Sequence, residues 1–185
     1  MNNIILSFFL SFSHSAGCDI PGYTQVYDDL FMRAEKMYWP IEQQSGGCRL
    51  KAQGIAESDL RIDAVSPVGA QCIMQIMPST QEDIETRFGI SGHIFSARYC
   101  IRLGAMYMAK LFSYFVYDRT DECRYGIAIP AYNAGPGNID RAQVKANGAR
   151  CWPEIAPVMH KVTGQHAKET IGYSNRIHSL LERMR

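Results

Sequence analysis

The chain has 185 residues, the size of one ordinary domain with a short appendage, and is long enough to bury a core without staples. Hydrophobic residues make up 46% and charged residues 20%, which excludes a disordered tail, a collagen-like rod and a polytopic membrane protein. With 19 Lys+Arg against 18 Asp+Glu the net charge is +1, so bulk electrostatics mark out no nucleic-acid partner.

The first segment is apolar. Ile4 to Phe12 is too short to span a bilayer, which takes about 20 helical residues, but it suits the centre of a secretory signal. Small residues follow, with Ser15 and Gly17 placed as a signal peptidase prefers, although Met1-Asn2-Asn3 lacks the usual basic charge. Residues 1–17 therefore read as an export signal, or as an uncut arm packed on the domain or on a partner protein. Ser15-Ala16-Gly17-Cys18 is close to a lipobox but lacks its aliphatic residue. The six cysteines, Cys18, Cys48, Cys72, Cys100, Cys123 and Cys151, lie at least 23 positions apart. Without a CxxC or a Cys/His pair they suggest no zinc site. Behind an export signal an even count reads as disulfides; six buried thiols are the alternative.

Helical spacing dominates the remainder. Residues 18–47 hold one helix and a loop, with Val26, Tyr27, Leu30, Phe31, Ala34, Met37 and Tyr38 as an apolar stripe that Pro40 ends. A second helix is predicted over about 48–59. Residues 61–75 have Pro, Gly and no clear period, so they form a loop or short strands. Ser79 with Glu82 reads as a capping box behind Pro78, opening a helix that closes on Phe88 and Gly89. Ile101, Gly104, Ala105, Met108, Leu111, Phe112 and Phe115 describe the central buried helix. Further helices are predicted near 121–133, 138–147, 152–162 and 167–184. No repeat or linker divides the chain, so one mainly α domain is expected.

In the second helix Leu50, Gln53, Glu57 and Leu60 share a face. A carboxyl among apolar neighbours is partly desolvated, which disfavours its charged form and suits a general acid. On its own a helical Glu is most often a solvated charge. Its context is more specific. Glu57-Ser58 is followed by Ala64-Val65-Ser66-Pro67-Val68-Gly69-Ala70, then Met74-Gln75-Ile76-Met77-Pro78. Ala131-Tyr132-Asn133-Ala134-Gly135 comes later, and Glu169-Thr170-Ile171-Gly172-Tyr173 near the end.

In order and spacing these motifs resemble the soluble-type lytic transglycosylases, over about residues 45–183. The resemblance implies a single lysozyme-like domain over 48–185, with at most a short β-hairpin or irregular loop beside its cleft. It makes Glu57 the single catalytic acid/base. It assigns Ser66, Met74, Gln75, Tyr132, Asn133 and Tyr173 to the substrate cleft, with the Tyr173 hydroxyl near the catalytic carboxyl. It implies cleavage between N-acetylmuramic acid and N-acetylglucosamine, with neither cofactor nor metal. The partner would be a peptidoglycan strand, in the periplasm or envelope or from a phage virion, with a phage tail or secretion apparatus as possible protein partners. Two other readings stay open: a muramidase in which Asp63 or another acid activates water, and a structural component that keeps the fold.

This sequence departs from the family pattern at several points. Cys72 replaces a Gly, and would be strained if the position needs φ > 0. Cys100 replaces an Asn, and the two departures suggest a Cys72–Cys100 bond. Pro130 stands inside a helix, where a kink or a new turn is expected. Lys168 stands where the family has Pro.

Overall fold

The computed structural model describes residues 18–184; the expectations for residues 1–17 lie outside them. The described helices are α1 (Asp28–Tyr38), α2 (Cys48–Ser58), α3 (Pro78–Phe88), α4 (Ala97–Tyr114), α5 (Asp121–Ala134), α6 (Pro136–Lys145), α7 (Trp152–Ile155), α8 (His160–Thr163) and α9 (Ala167–Arg183). Short 3-10 turns join some of them, at Ile41–Gln43, Ala156–Val158 and Gly164–His166. No helix among the described residues is long and apolar enough to cross a membrane.

α4 is the central element, as its spacing predicts. It packs against α1, α3 and α5, and buries Ile101, Leu103, Ala105, Met108, Leu111 and Phe112. Gly104 is required there, because a Cβ would lie 2.8 Å from the Met74 side chain. The Trp39 indole donates to the Ala105 carbonyl at 3.0 Å and stacks edge-on against Phe112, fixing α1 across α4. Residues 61–77 form the irregular loop with two antiparallel bridges, Val65 to Gln71 and Gln71 to Ile76.

Several local expectations change in the folded chain. The stripe of α1 is narrower than its spacing suggests: Val26 and Met37 are 72% and 70% exposed, while Phe31, Ala34 and the unanticipated Glu35 are buried. α3 has no capping box. It starts at Pro78, whose fixed φ and missing N–H suit the first helical position. α5 runs through Pro130 without a new start, because packing against α4, α6 and α9 outweighs one missing backbone bond. The segment 152–162 is not one helix: Pro153 opens α7, and Pro157, which cannot donate, divides it from α8.

All six cysteines are paired, as Cys18–Cys48, Cys72–Cys100 and Cys123–Cys151. The Cys72–Cys100 suggestion therefore holds. Cys18 is committed to Cys48 and has no thiol left for a lipid. Each bridge closes a loop of 28 to 30 residues. Closing a loop of that length stabilises by about 3–4 kcal/mol, mainly by restricting the unfolded chain. Cys72 has φ of 66°, the left-handed conformation that its departure from glycine put in question. The cost of about 1–2 kcal/mol is smaller than the gain from the bridge.

The start of α2 depends on a carboxyl from another helix. Its N-cap, Gly47, has φ of 100° and lies so close to α1 that a Cβ would be 2.7 Å from the Met32 nitrogen. Gly47 offers no side chain to cap the helix. Glu35 does so instead: its oxygens accept from the backbone N–H groups of Ser45 at 2.8 Å, Gly47 at 2.9 Å and Leu50 at 2.9 Å. The Ser45 hydroxyl donates to the same carboxyl at 3.0 Å and accepts from the Arg49 N–H at 2.8 Å. Glu35→Ala would leave these buried donors unpaired. It should destabilise the protein by about 3 kcal/mol or more, lowering Tm by roughly 6–12 °C in thermal melts.

Candidate active site

α2 is buried on every side from Leu50 to Ile55 and half-buried at both ends, at Cys48 and Arg49 and again at Ala56 and Glu57. The sequence put Glu57 on a face shared with Leu50 and Leu60; what is observed is a core helix whose last turn meets the cleft. There Asp59 and Leu60 take left-handed conformations, with φ of 54° and 63°, and turn the chain sharply into the loop. Ser58 donates to the Ile73 carbonyl at 2.9 Å, which binds the loop to the helix end. Glu57, half-buried on this turn, opens into a cleft of about 470 Å³.

Ser66, Gln75, Tyr132, Asn133 and Tyr173 line the same cleft. Three elements far apart in sequence, the loop at 61–77, α5 and α9, thus converge on one carboxyl. The Tyr173 hydroxyl donates to Glu57 Oε1 at 2.6 Å. Burial pushes the Glu57 carboxyl up from 4.5 to about 8. The Tyr173 hydrogen bond opposes that rise, the Glu169 charge adds to it, and Arg176 draws it down. Glu57 is therefore mainly protonated at neutral pH, the form a general acid needs. Burial also raises the Tyr173 and Tyr132 phenols well above their usual range, so both act as neutral hydrogen-bonding groups.

The other residues hold the cleft in shape. Tyr132 donates to the Met74 carbonyl at 2.9 Å. Asn133 accepts from Thr170 at 2.8 Å and donates to Glu169 at 3.4 Å, joining the end of α5 to α9. Gln75 donates to the Cys72 carbonyl at 2.9 Å, and its own φ is 46°. Ser66 accepts from the Ala70 N–H at 3.0 Å, closing the turn at the cleft edge. Two bridges and the Cys72–Cys100 bond tie this loop down.

The expectation that Met74 faces the sugar is not met. Its side chain is fully buried against Gly104, and it serves the site only through the carbonyl that Tyr132 grips. The neighbouring Met77 lines the cleft instead. Asp63 is exposed and is not among the cleft-lining residues. Asp59 is likewise not among the cleft-lining residues and pairs with Arg176 at 2.6 Å.

Two cleft residues, Glu169 and Arg176, had no role assigned from the sequence. With Gly172 and Tyr173 they form one helical face at i, i+3, i+4 and i+7, a spacing that Tyr173 alone would have revealed. Arg176 also donates to the Ala56 carbonyl at 3.2 Å, satisfying the open end of α2. Among the described residues, no group of three or more His, Cys, Asp or Glu side chains is placed to hold a metal.

Residues 50–154, more than half of the chain, match the family described as the Transglycosylase SLT domain. The chain belongs to this family. The SLT fold recurs in the 70 kDa soluble lytic transglycosylase of Escherichia coli. That structure is 24% identical with a TM-score of 0.69, over 88% of this chain and 24% of the other. An inactive mutant of the lytic transglycosylase Slt from Pseudomonas aeruginosa is 24% identical with a TM-score of 0.63, over 87% of this chain and 25% of the other. A complex of the 70 kDa enzyme with bulgecin A matches at 22% identity and a TM-score of 0.63, over 85% of this chain and 24% of that one. At these identities the likeness establishes the shared fold, and this chain spans about a quarter of each relative's length.

In an SLT domain built this way, the buried acid opposes folding. The unfolded carboxyl titrates near 4.5 and the folded one near 8. Its penalty is absent below the first value, grows as pH rises, and levels off above the second. Glu57→Gln should therefore raise Tm relative to the parent at pH 8, and by much less at pH 5. Paired thermal melts at the two pH values check this.

Proposed function

We propose that the protein is a peptidoglycan lytic transglycosylase acting on the bond between N-acetylmuramic acid and N-acetylglucosamine. The observation that carries the reading is Glu57, hydrogen-bonded to Tyr173 and lining a sugar-sized cleft in an SLT domain. The mutant relative from Pseudomonas aeruginosa, inactive with one glutamate changed to glutamine, is consistent with an essential acid.

Glu57 gives its proton to the glycosidic oxygen as the bond from that oxygen to C1 of the muramoyl sugar breaks. The sugar's own 2-acetamido oxygen closes on C1 and carries the developing charge. Glu57, now a carboxylate, takes the proton of the 6-hydroxyl as O6 bonds to C1 and displaces the acetamido oxygen. The product is a 1,6-anhydro end, the acid is regenerated and no water is consumed. Holding the 6-hydroxyl near C1 makes the second step intramolecular, a large entropic advantage.

Hydrolysis with a paired carboxyl is the alternative reading. Asp63 lies outside the cleft lining, whereas Glu169 lines the cleft and would be the carboxyl that activates water. We also assign the protein to the cell envelope on the outer side of the inner membrane. Three disulfides and a peptidoglycan-directed cleft both suit that oxidising compartment.

Mass spectrometry of muropeptides released from purified sacculi should show 1,6-anhydro ends; reducing ends would indicate the hydrolytic reading. Glu57→Gln should lower release by a factor of at least about 100 while the protein stays folded, as removing a general acid does. For the parent, activity should fall as pH rises through about 8, where the acid loses its proton. A pH–rate profile on isolated glycan strands measures that limb.

A further inference from the structure

The two sugars of a peptidoglycan strand share their ring and their 2-acetamido group; the muramoyl sugar alone carries a lactyl group on O3. An enzyme that breaks only one of the two alternating bonds can tell them apart only through that group. Discrimination of this kind needs a donor that one sugar satisfies and the other leaves unpaired.

Most side-chain donors of the cleft are already committed. Tyr173 donates to Glu57 at 2.6 Å and Tyr132 to the Met74 carbonyl at 2.9 Å. The Gln75 amide donates to the Cys72 and Ala64 carbonyls at 2.9 and 3.3 Å. Asn133 turns its amide N–H to Glu169, whose carboxylate would repel an anion placed there. Ser66 has a single hydroxyl proton and no charge. Arg176 differs. A guanidinium holds more N–H donors than any other side chain, in a rigid fork. Arg176 uses one on the Ala56 carbonyl at 3.2 Å and one on Asp59 Oδ1 at 2.6 Å, and the others have no partner among the described residues. It lines the cleft, and Ala56 directly precedes Glu57, so the surplus donors are anchored beside the acid. Asp59 is itself held, left-handed at φ of 54° and accepting from the Tyr23 hydroxyl at 3.3 Å. With Arg176 45% exposed, such an ion pair adds little stability; what it fixes is the direction of the fork.

We propose that Arg176 reads the lactyl carbonyl of the muramoyl sugar, and so sets which of the two alternating bonds lies at Glu57. This rests on the substrate proposed for the cleft and names the group in it that is read. Asp59 offsets the guanidinium charge, so recognition runs through directed N–H bonds. These suit a carboxylate on a peptide-free strand and an amide carbonyl on a peptide-bearing one. Glu169 stands two turns earlier on α9, about 10 Å along the axis, and lines the same cleft. It disfavours a carboxylate at that end, which gives the strand one direction.

Binding is measured in a Glu57→Gln background, where turnover is suppressed, by calorimetry with three tetrasaccharides. These are the alternating glycan without peptides, the same glycan bearing stem peptides, and chitotetraose, which has no lactyl group. The peptide-free glycan should bind at least about tenfold more tightly than chitotetraose, as a charge-assisted hydrogen bond allows. Arg176→Gln should abolish that preference and leave the chitotetraose Kd unchanged. Arg176→Lys keeps the charge and the pairing with Asp59 but not the fork. It should also lose most of the preference, and it covers the case of a glutamine variant that folds poorly. A preference that survives both substitutions, or an equal loss of affinity for both glycans, would overturn the proposal and leave the transglycosylase reading in place. Dependence on Arg176 confined to the peptide-bearing glycan would move the contact to the stem and overturn it as well. Binding of none of the three would sink the functional reading together with it.

Discussion

A helix enclosed by protein along most of its length must have its free backbone groups met by side chains, because little water reaches them. α2 is such a helix, and the rest of the site follows from how its ends are held. Glu35 and Ser45 satisfy the first turn from α1 and the loop before α2. Arg176 reaches from α9 to the last turn, and the left-handed pair Asp59 and Leu60 ends the helix abruptly. Rigidity at both ends leaves Glu57 one place to be. The carboxyl stands at the boundary between core and cleft, dry enough to keep a proton and open enough to give it away.

That placement has a cost. A carboxyl that ionises freely in the unfolded chain and resists ionisation in the folded one weakens the fold above mildly acid pH. Cys72 and Gln75 add strain by holding left-handed backbone in the loop that forms one wall of the cleft. The Cys72–Cys100 bond, the Ser58 contact to Ile73 and the Tyr132 grip on Met74 hold that loop to the helices beneath it. Of the strained residues Gln75 lines the cleft, while Cys72 is buried beneath it, where its own disulfide holds it. Such strain is common in active sites, where unfavourable local geometry persists because the surroundings fix it.

Met74 shows how a motif can be right in position and misleading in role. It sits one residue before a cleft residue, Gln75, yet its side chain packs under α4 and only its carbonyl takes part. On an irregular loop neither the strand nor the helix period says which side chain faces inward. Glu35 was hidden for a similar reason. Its position on α1 reads as an ordinary charged face, and the donors it serves lie 10 to 15 residues away. Arg176 and Glu169, by contrast, follow helical spacing from Tyr173 and were open to inference.

From the amino-acid order and the family resemblance it carries came the helical class, the central helix with its Gly104, the loop at 61–75, the candidate acid Glu57 and the suggested Cys72–Cys100 bond. Local spacing and motif chemistry carry that information along the chain. Only the folded chain decided that Glu35 caps a helix it does not belong to, and it put at 2.6 Å the Glu57–Tyr173 contact that the resemblance implied. It also decided that Asp63 stays outside the cleft lining and that α2 is buried on every side from Leu50 to Ile55. Proton affinity and burial depend on what surrounds a group in three dimensions, and those neighbours are set by how separate helices pack.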